Sequence, residues 1–336
     1  MKLSVLDQSP IVSGATARDA VLATIALAKL ADRLGYHRYW LAEHHSSGTL
    51  ADASPEILIP VVAAHTERIR VGSGGVMLSH YSPLKVAEQF RMIETLYPGR
   101  IDMGLGRAPG SDGRTAAALQ TGPVARNIEA YPQQVLDLIN YLRGDLSASH
   151  EFRGVTAMPA GPGMPEPWLL ASSMGSTYYA AALGLPLSFA HFISQGSGPE
   201  AVDWYRKHYQ PSALFPEPRV NVGIAATCAD TDEEGTRLGL VRHYMKMRRE
   251  EGRPLEHVPS MEEVDAAVNG LSDHGRAYIE GLQSKAIEGG TDRVRSQIES
   301  LAAEYGTDEV VVLTITPTYE ARARSYKLLA GAFGLK

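Results

Sequence analysis

Short apolar or β-branched runs alternate with amphipathic helical patterns from the first residues onward, the rhythm of βα units feeding a parallel sheet. Residues 3–8 read as a strand and 17–34 as a helix, with Thr16 as its cap, Asp19 in the first turn and Gly35 at its end. Val21, Ile25 and Ala28 are expected on its buried face. Strand two (37–43) leads to a helix near 54–66. Strand three (69–77) leads to a helix opened by Ser82-Pro83, whose buried stripe runs through Val86, Phe90 and Ile93. Strand four (100–106) precedes a Gly/Ala/Thr-rich connection over 108–128 and a helix near 129–143. Residues 145–166, rich in Pro and Gly, break the rhythm as an excursion before strand five (168–172). Helix 176–184, strand six (187–192), helix 199–209, strand seven (220–228) and helix 231–249 follow. A second, charged and irregular excursion spans 250–290. After it come a helix over 292–305, capped by Thr291 and stopped by Gly306, strand eight (308–316) and a helix near 319–333.

Eight strands in strict alternation with helices, with no linker between them, predict a single-domain (β/α)8 barrel over 1–336; a doubly wound open sheet is the alternative. At 44% hydrophobic and 21% charged residues, the 336-residue chain can bury a full core, which excludes general disorder. Thirty-two basic against 38 acidic side chains give a net charge of -6, so there is no overall positive field to hold a nucleic acid. The lone Cys228 excludes an intrachain disulfide and a cysteine zinc cluster, which fits the reducing cytoplasm. Asp7 and Pro10 interrupt the N-terminal apolar residues, and no run approaches membrane-spanning length.

Barrel active sites gather where strands end at their carboxyl termini. At the end of strand two stand Glu43, His44 and His45; alternation groups His44 with Trp40 and Ala42 on the mouth side, and Glu43 and His45 with Leu41 on the other. Neighbouring histidines on opposite faces are poor joint ligands, and a HExxH spacing is absent, so no metal site is expected. The plain alternative is a surface or supporting histidine pair. Strands three and four end in glycine (Gly72, Gly74, Gly75; Gly104, Gly106), leaving room for something flat, although glycine at a barrel corner is also often steric. Arg107 follows as a permanent cation. Ser172, Ser173, Ser176 and Thr177 bring hydroxyls and no acid to a helix start, the composition of a phosphate cradle, whose alternative is an ordinary N-cap. The loop after strand seven carries Asp230, Asp232, Glu233 and Glu234 and would repel phosphate.

The segments WLAEHH (40–45), VGSGGVMLSHYSP (71–83), QFRMIETLYPGRIDMGLGRAPG (89–110) and ASSMGSTYYAAALGLPLSFAHF (171–192) together resemble the bacterial luciferase-like, flavin-dependent monooxygenases, which are (β/α)8 barrels. The resemblance implies His44 as the active-site histidine, Gly74-Gly75 as a strand end carrying a cis peptide beneath the flavin, and Arg107, Ser173 and Ser176 as holders of the flavin phosphate. It also implies His191 beside the isoalloxazine ring. Gly106 stands where light-emitting members have cysteine, and Ser172 where they have an acid, so light emission is not implied. The implied chemistry is oxygenation of a small aldehyde- or ketone-type substrate by dioxygen and reduced FMN from a separate reductase. Absence of a GxGxxG after the first strand accords with that supply. A homodimer is implied through the helices near 54–66 and 83–97, where Ile57, Ile59, Val61, Phe90 and Met92 exceed one buried stripe. A deazaflavin-dependent oxidoreductase and a non-catalytic flavin-binding protein are the competing readings. The excursions at 108–128, 145–166 and 250–290 would shape the substrate pocket.

Overall fold

A computed structural model describes residues 1–120 and 128–336; part of the 108–128 connection, at 121–127, lies outside them. The elements run β1 (Lys2–Asp7), α1 (Ala17–Arg33), β2 (Arg38–Leu41), α2 (Pro55–Ala64), β3 (Arg70–Met77), α3 (Pro83–Leu96), β4 (Ile101–Gly106) and α4 (Gly113–Leu119). They continue with α5 (Tyr131–Arg143), β5 (Glu166–Ala171), α6 (Met174–Ala182), β6 (Leu187–Ala190), α7 (Gly198–His208), β7 (Val220–Cys228) and α8 (Asp232–Glu250). The last are α9 (Met261–Asn269), α10 (Asp273–Gln283), β8 (Ile287–Gly289), α11 (Thr291–Tyr305), β9 (Glu309–Leu313) and α12 (Tyr319–Ala332). Strand order is β6-β5-β4-β3-β2-β1-β9-β7-β8 with a further β6–β7 pairing, the order of a (β/α)8 barrel in which β8 is a short addition beside β7.

Local signals account for the helix ends. Thr16 and Asp19 form the reciprocal capping box of α1, and Gly306 closes α11 in the left-handed region at φ +57°. Four expectations need correction. The buried stripe of α1 is Ala20, Thr24, Leu27, Ala28 and Ala31, with Val21 and Ile25 at its margin, because the helix is rolled by about one residue. Gly290, not Thr291, caps α11; its first turn starts one residue earlier, and Asp232 Oδ1 accepts the Gly290 N–H at 2.7 Å. The stretch 250–290 is not irregular but holds α9, α10 and β8, with α9 begun by a capping box between Ser260 and Glu263. Ile59 and Phe90 are fully buried, so they belong to the core and not to the apolar face.

Backbone contacts divide the chain into two compact units. The first comprises Met1–His37, Ser47–Ala51 and Gly223–Lys336. There Arg322, buried, donates to Asp7 Oδ1 at 2.7 Å and to the Thr314 carbonyl at 3.0 Å, joining α12 to β1 and to the end of β9. A buried charge with several well-placed partners is tolerated where a lone one is not.

The second unit comprises Arg38–Ser46 and Asp52–Val222 and carries every residue singled out for chemistry. Its interior is packed by Trp40, Trp168, Phe90, Tyr131, Phe189 and Tyr205. At the amino ends of its strands, buried Asp102 accepts from Arg38 Nη1 (2.8 Å), Trp40 Nε1 (2.9 Å) and Arg70 Nε (2.8 Å), and Arg38 also pairs with Glu166 at 3.1 Å. These charges therefore plug the end remote from the expected chemistry. Buried Arg91, on α3, donates to the carbonyls of Leu142, Pro159 (3.2 Å) and Gly161 (3.0 Å), which ties the 145–166 excursion to the helix layer.

Candidate active site

Registers in the second unit align five neighbouring strand ends: Leu41 opposite Ser73, Gly74 opposite Gly104, Leu105 opposite Leu169, and Ala171 opposite Phe189. His44, Gly74-Gly75, Gly106-Arg107, Ser173-Ser176-Thr177 and His191 therefore all lie at the carboxyl ends of β2 to β6 or just beyond them. The peptide between Gly74 and Gly75 is cis, and the β3–β4 register shifts between Gly74 and Val76.

The glycines there answer first to the chain's own crowding. A Cβ on Gly104 would lie 2.2 Å from the Ser73 carbonyl oxygen, and one on Gly75 would lie 2.5 Å from Leu170 Cδ1 and 2.7 Å from the Gly104 oxygen. Real side chains do not approach backbone so closely, so β3 and β4 can pair here only without them. At Gly106 the obstacle would be the flexible tip of Met77, 2.6 Å away.

Two anion-favouring features meet at α6. Its N-cap, Ser173, makes no side-chain capping bond, which leaves first-turn N–H groups without that partner. The Arg107 guanidinium packs against the same turn, since a Cβ on Gly175 would sit 3.0 Å from Arg107 Nη1 and 3.3 Å from Nη2. Among the described residues no carboxylate pairs with Arg107, whereas Arg324 pairs with Asp230 and Arg293 faces Asp232. Of the predicted hydroxyls, Ser173 is exposed, Ser176 is buried in the first turn, and Thr177 is fully buried with its hydroxyl donating to the Ser173 carbonyl at 3.0 Å. Thr177 thus secures the turn from within. Tyr131, buried beneath, donates to the Leu105 carbonyl at 3.1 Å; burial pushes its hydroxyl pKa up, and the Arg107 charge pulls part of the way back.

His44 is half-buried, and its backbone N–H donates to the Asp52 carbonyl at 3.1 Å. Its neighbours form a polar cluster in which Glu43 and His45 share a side, as alternation predicts, joined by Met77, Tyr81 and His80, which alternation did not bring in. Glu43, 1% exposed, accepts from the Met77 N–H (2.8 Å), the Tyr81 hydroxyl (2.6 Å) and His45 Nε2 (2.7 Å). The rings of His45 and His80 meet edge to face at 5.9 Å, and His80 Nε2 donates to the Pro109 carbonyl at 2.8 Å. The Tyr81 hydroxyl is held far above its ordinary range, mainly by burial and then by its bond to Glu43 and the negative charge there. Burial likewise raises the Glu56 carboxyl, a trend the charge on Glu43 reinforces. The signals available for this cluster were the shared side of Glu43 and His45 and an acid directly after an apolar strand at Glu43.

Residues 1–314 match the family model described as luciferase-like monooxygenase. The chain belongs to the luciferase-like monooxygenase family. It is accordingly an oxidoreductase that incorporates oxygen. It is 45% identical to the uncharacterised protein YwcH of Bacillus subtilis (strain 168), over 99% of each chain. With the N-acetyl-S-alkylcysteine monooxygenase of the same organism it shares 34% identity over 99% of this chain and 98% of the relative. The solved structure of apo-MsnO8 superposes with a TM-score of 0.90 at 39% identity, covering 100% of this chain and 99% of the other. No helix among the described residues is long and apolar enough to cross a membrane.

Proposed function

We propose that this luciferase-like monooxygenase uses reduced FMN, delivered by a separate reductase, to oxygenate a small organic substrate of aldehyde or ketone type. Reduced FMN supplies the electrons with which dioxygen is split between the oxygenated product and water. The observation that carries the reading is the Arg107 guanidinium, without a carboxylate partner among the described residues, against the uncapped first turn of α6. A phosphate monoester meets both needs, since a permanent cation and helix N–H groups both favour a dianion. Arg107, Ser173 and Ser176 would hold that phosphate. The cis Gly74–Gly75 strand end and Gly106 would lie under the ring system, and His191 beside it.

His44 is the proton carrier in this scheme. A histidine titrates near neutrality and can give or take one proton at the reacting oxygen, while the neighbouring Glu43 and His45 are engaged with each other. Exclusion of water from the strand ends would limit wasteful release of hydrogen peroxide. A second copy of the chain is the proposed partner on the α2–α3 face, where Ile57, Val61, Met92 and Leu96 are exposed. The cytoplasm is the proposed compartment, supported by the single buried thiol.

The test is a titration of the purified protein with FMN, reduced FMN, riboflavin and a deazaflavin, followed by aerobic turnover with an added flavin reductase. FMN bound more tightly than riboflavin, with oxygenated product per reduced FMN, is the expected result. Preference for the deazaflavin with hydride transfer and no oxygen uptake would replace the reading, and flavin binding with no turnover on any carbonyl or thioether substrate would make the protein a flavin carrier.

A further inference from the structure

Outside the residues assigned to cofactor and proton transfer, the buried carboxylate of Glu43 joins the carboxyl ends of two neighbouring strands, β2 and β3. Glu43 Oε2 accepts from the backbone N–H of Met77, the last residue of β3 and two beyond Gly75, at 2.8 Å. Its Oε1 accepts from the Tyr81 hydroxyl at 2.6 Å and from His45 Nε2 at 2.7 Å. The chain beyond β4 is drawn to the same place: the His45 N–H donates to the Gly110 carbonyl at 3.0 Å, His80 Nε2 to that of Pro109 at 2.8 Å, and a Cβ on Gly110 would lie 3.0 Å from the Glu43 carbonyl. The Glu43 side chain thus joins the segment that carries His44 to the one that carries the Gly74–Gly75 peptide, while the His45 backbone and the His80 ring tie in the chain beyond Arg107.

We propose that Glu43 is a positioning residue that sets the placement of the β2 end relative to the β3 end and thereby the orientation of the bound isoalloxazine ring, an inference that rests on the flavin reading above. The donor set explains why a carboxylate stands here. A backbone N–H cannot turn away, so Met77 needs a fixed acceptor, whereas the Tyr81 hydroxyl can rotate and the His45 ring can move its proton to Nδ1. In Glu43→Gln the amide oxygen can still serve Met77 while its NH2 faces the two adaptable partners. Glu43→Leu has nearly the same bulk and serves none of them.

The experiment compares wild type, Glu43→Gln and Glu43→Leu by FMN titration, by the visible circular dichroism of the bound flavin, by thermal melting and by hydrogen exchange of peptides spanning 75–81. Glu43→Leu is expected to weaken FMN binding by about tenfold or more, to change the dichroism envelope and to speed exchange in 75–81. Glu43→Gln is expected to stay within a few-fold in affinity with the wild-type envelope. Should Glu43→Leu fail to fold, Tyr81→Phe and His45→Leu each remove one donor, and an altered envelope in either supports the proposal. A folded Glu43→Leu, or both single-donor variants, with wild-type affinity and envelope would overturn it. Wild-type protein that binds no flavin would overturn the flavin reading itself, with Glu43 reduced to a structural clamp.

Discussion

Replacing Arg107 by alanine removes the cation at the first turn of α6 while leaving its neighbours in place, because no carboxylate among the described residues pairs with it. A charge-assisted hydrogen bond contributes about 1.5–3 kcal/mol, which at 1.4 kcal/mol per decade corresponds to roughly 10- to 150-fold in affinity. Arg107 is only half-buried, so water screens part of that and the lower end, about tenfold, is expected for FMN. Riboflavin, which lacks the phosphate, should change by less than about twofold on the same argument. Gly175→Ala supplies an independent perturbation: its Cβ would press on Arg107 Nη1 from 3.0 Å and shift the guanidinium, giving a smaller loss of the same selectivity. Fluorescence quenching of FMN and riboflavin by both variants, repeated at low and high salt, measures the difference, and the FMN advantage should shrink with salt. Equal losses for the two flavins would show that the phosphate is held elsewhere, and no loss for either would remove Arg107 from the site.

Three other outcomes are expected. His44→Ala should retain flavin affinity but lower oxygenated product per reduced FMN by about 10², the scale of lost acid–base catalysis, with more hydrogen peroxide released; unchanged coupling would make His44 structural. Glu56→Gln should raise the melting temperature at pH 7 and leave it unaltered near pH 4. The Glu56 carboxyl is raised above its ordinary 4.5, so its contribution is complete below that value and is lost as pH climbs through the raised one; calorimetry across this range would show a wild-type slope that the variant lacks. Ile57→Lys with Met92→Lys should convert a dimer to a monomer in sedimentation, because both side chains are more than half exposed on the α2–α3 face; a wild-type mass of one chain at every micromolar concentration would refute the dimer.

The alternation of elements was legible in the sequence because it rests on short-range physics. A period of two or 3.6, a capping pair such as Thr16 and Asp19, and a glycine able to take positive φ at 306 each act within a few residues. The same rules located the strand ends and hence the candidate residues His44, Arg107 and Ser173. Three things depended on tertiary register. Glycine at 104 looked like a floor for a flat ligand, yet its absent side chain is demanded by the Ser73 carbonyl 31 positions earlier. The 250–290 stretch looked irregular because α9 and α10 are short, and the three-residue β8 exists only through pairing with β7. Above all, Glu43 reads as one more acid beside two histidines until Met77 and Tyr81, 34 and 38 residues away, bring their donors to it. Local patterns determine which elements form. Which buried polar groups face one another is decided by how strands align, since each must find its partner across the sheet.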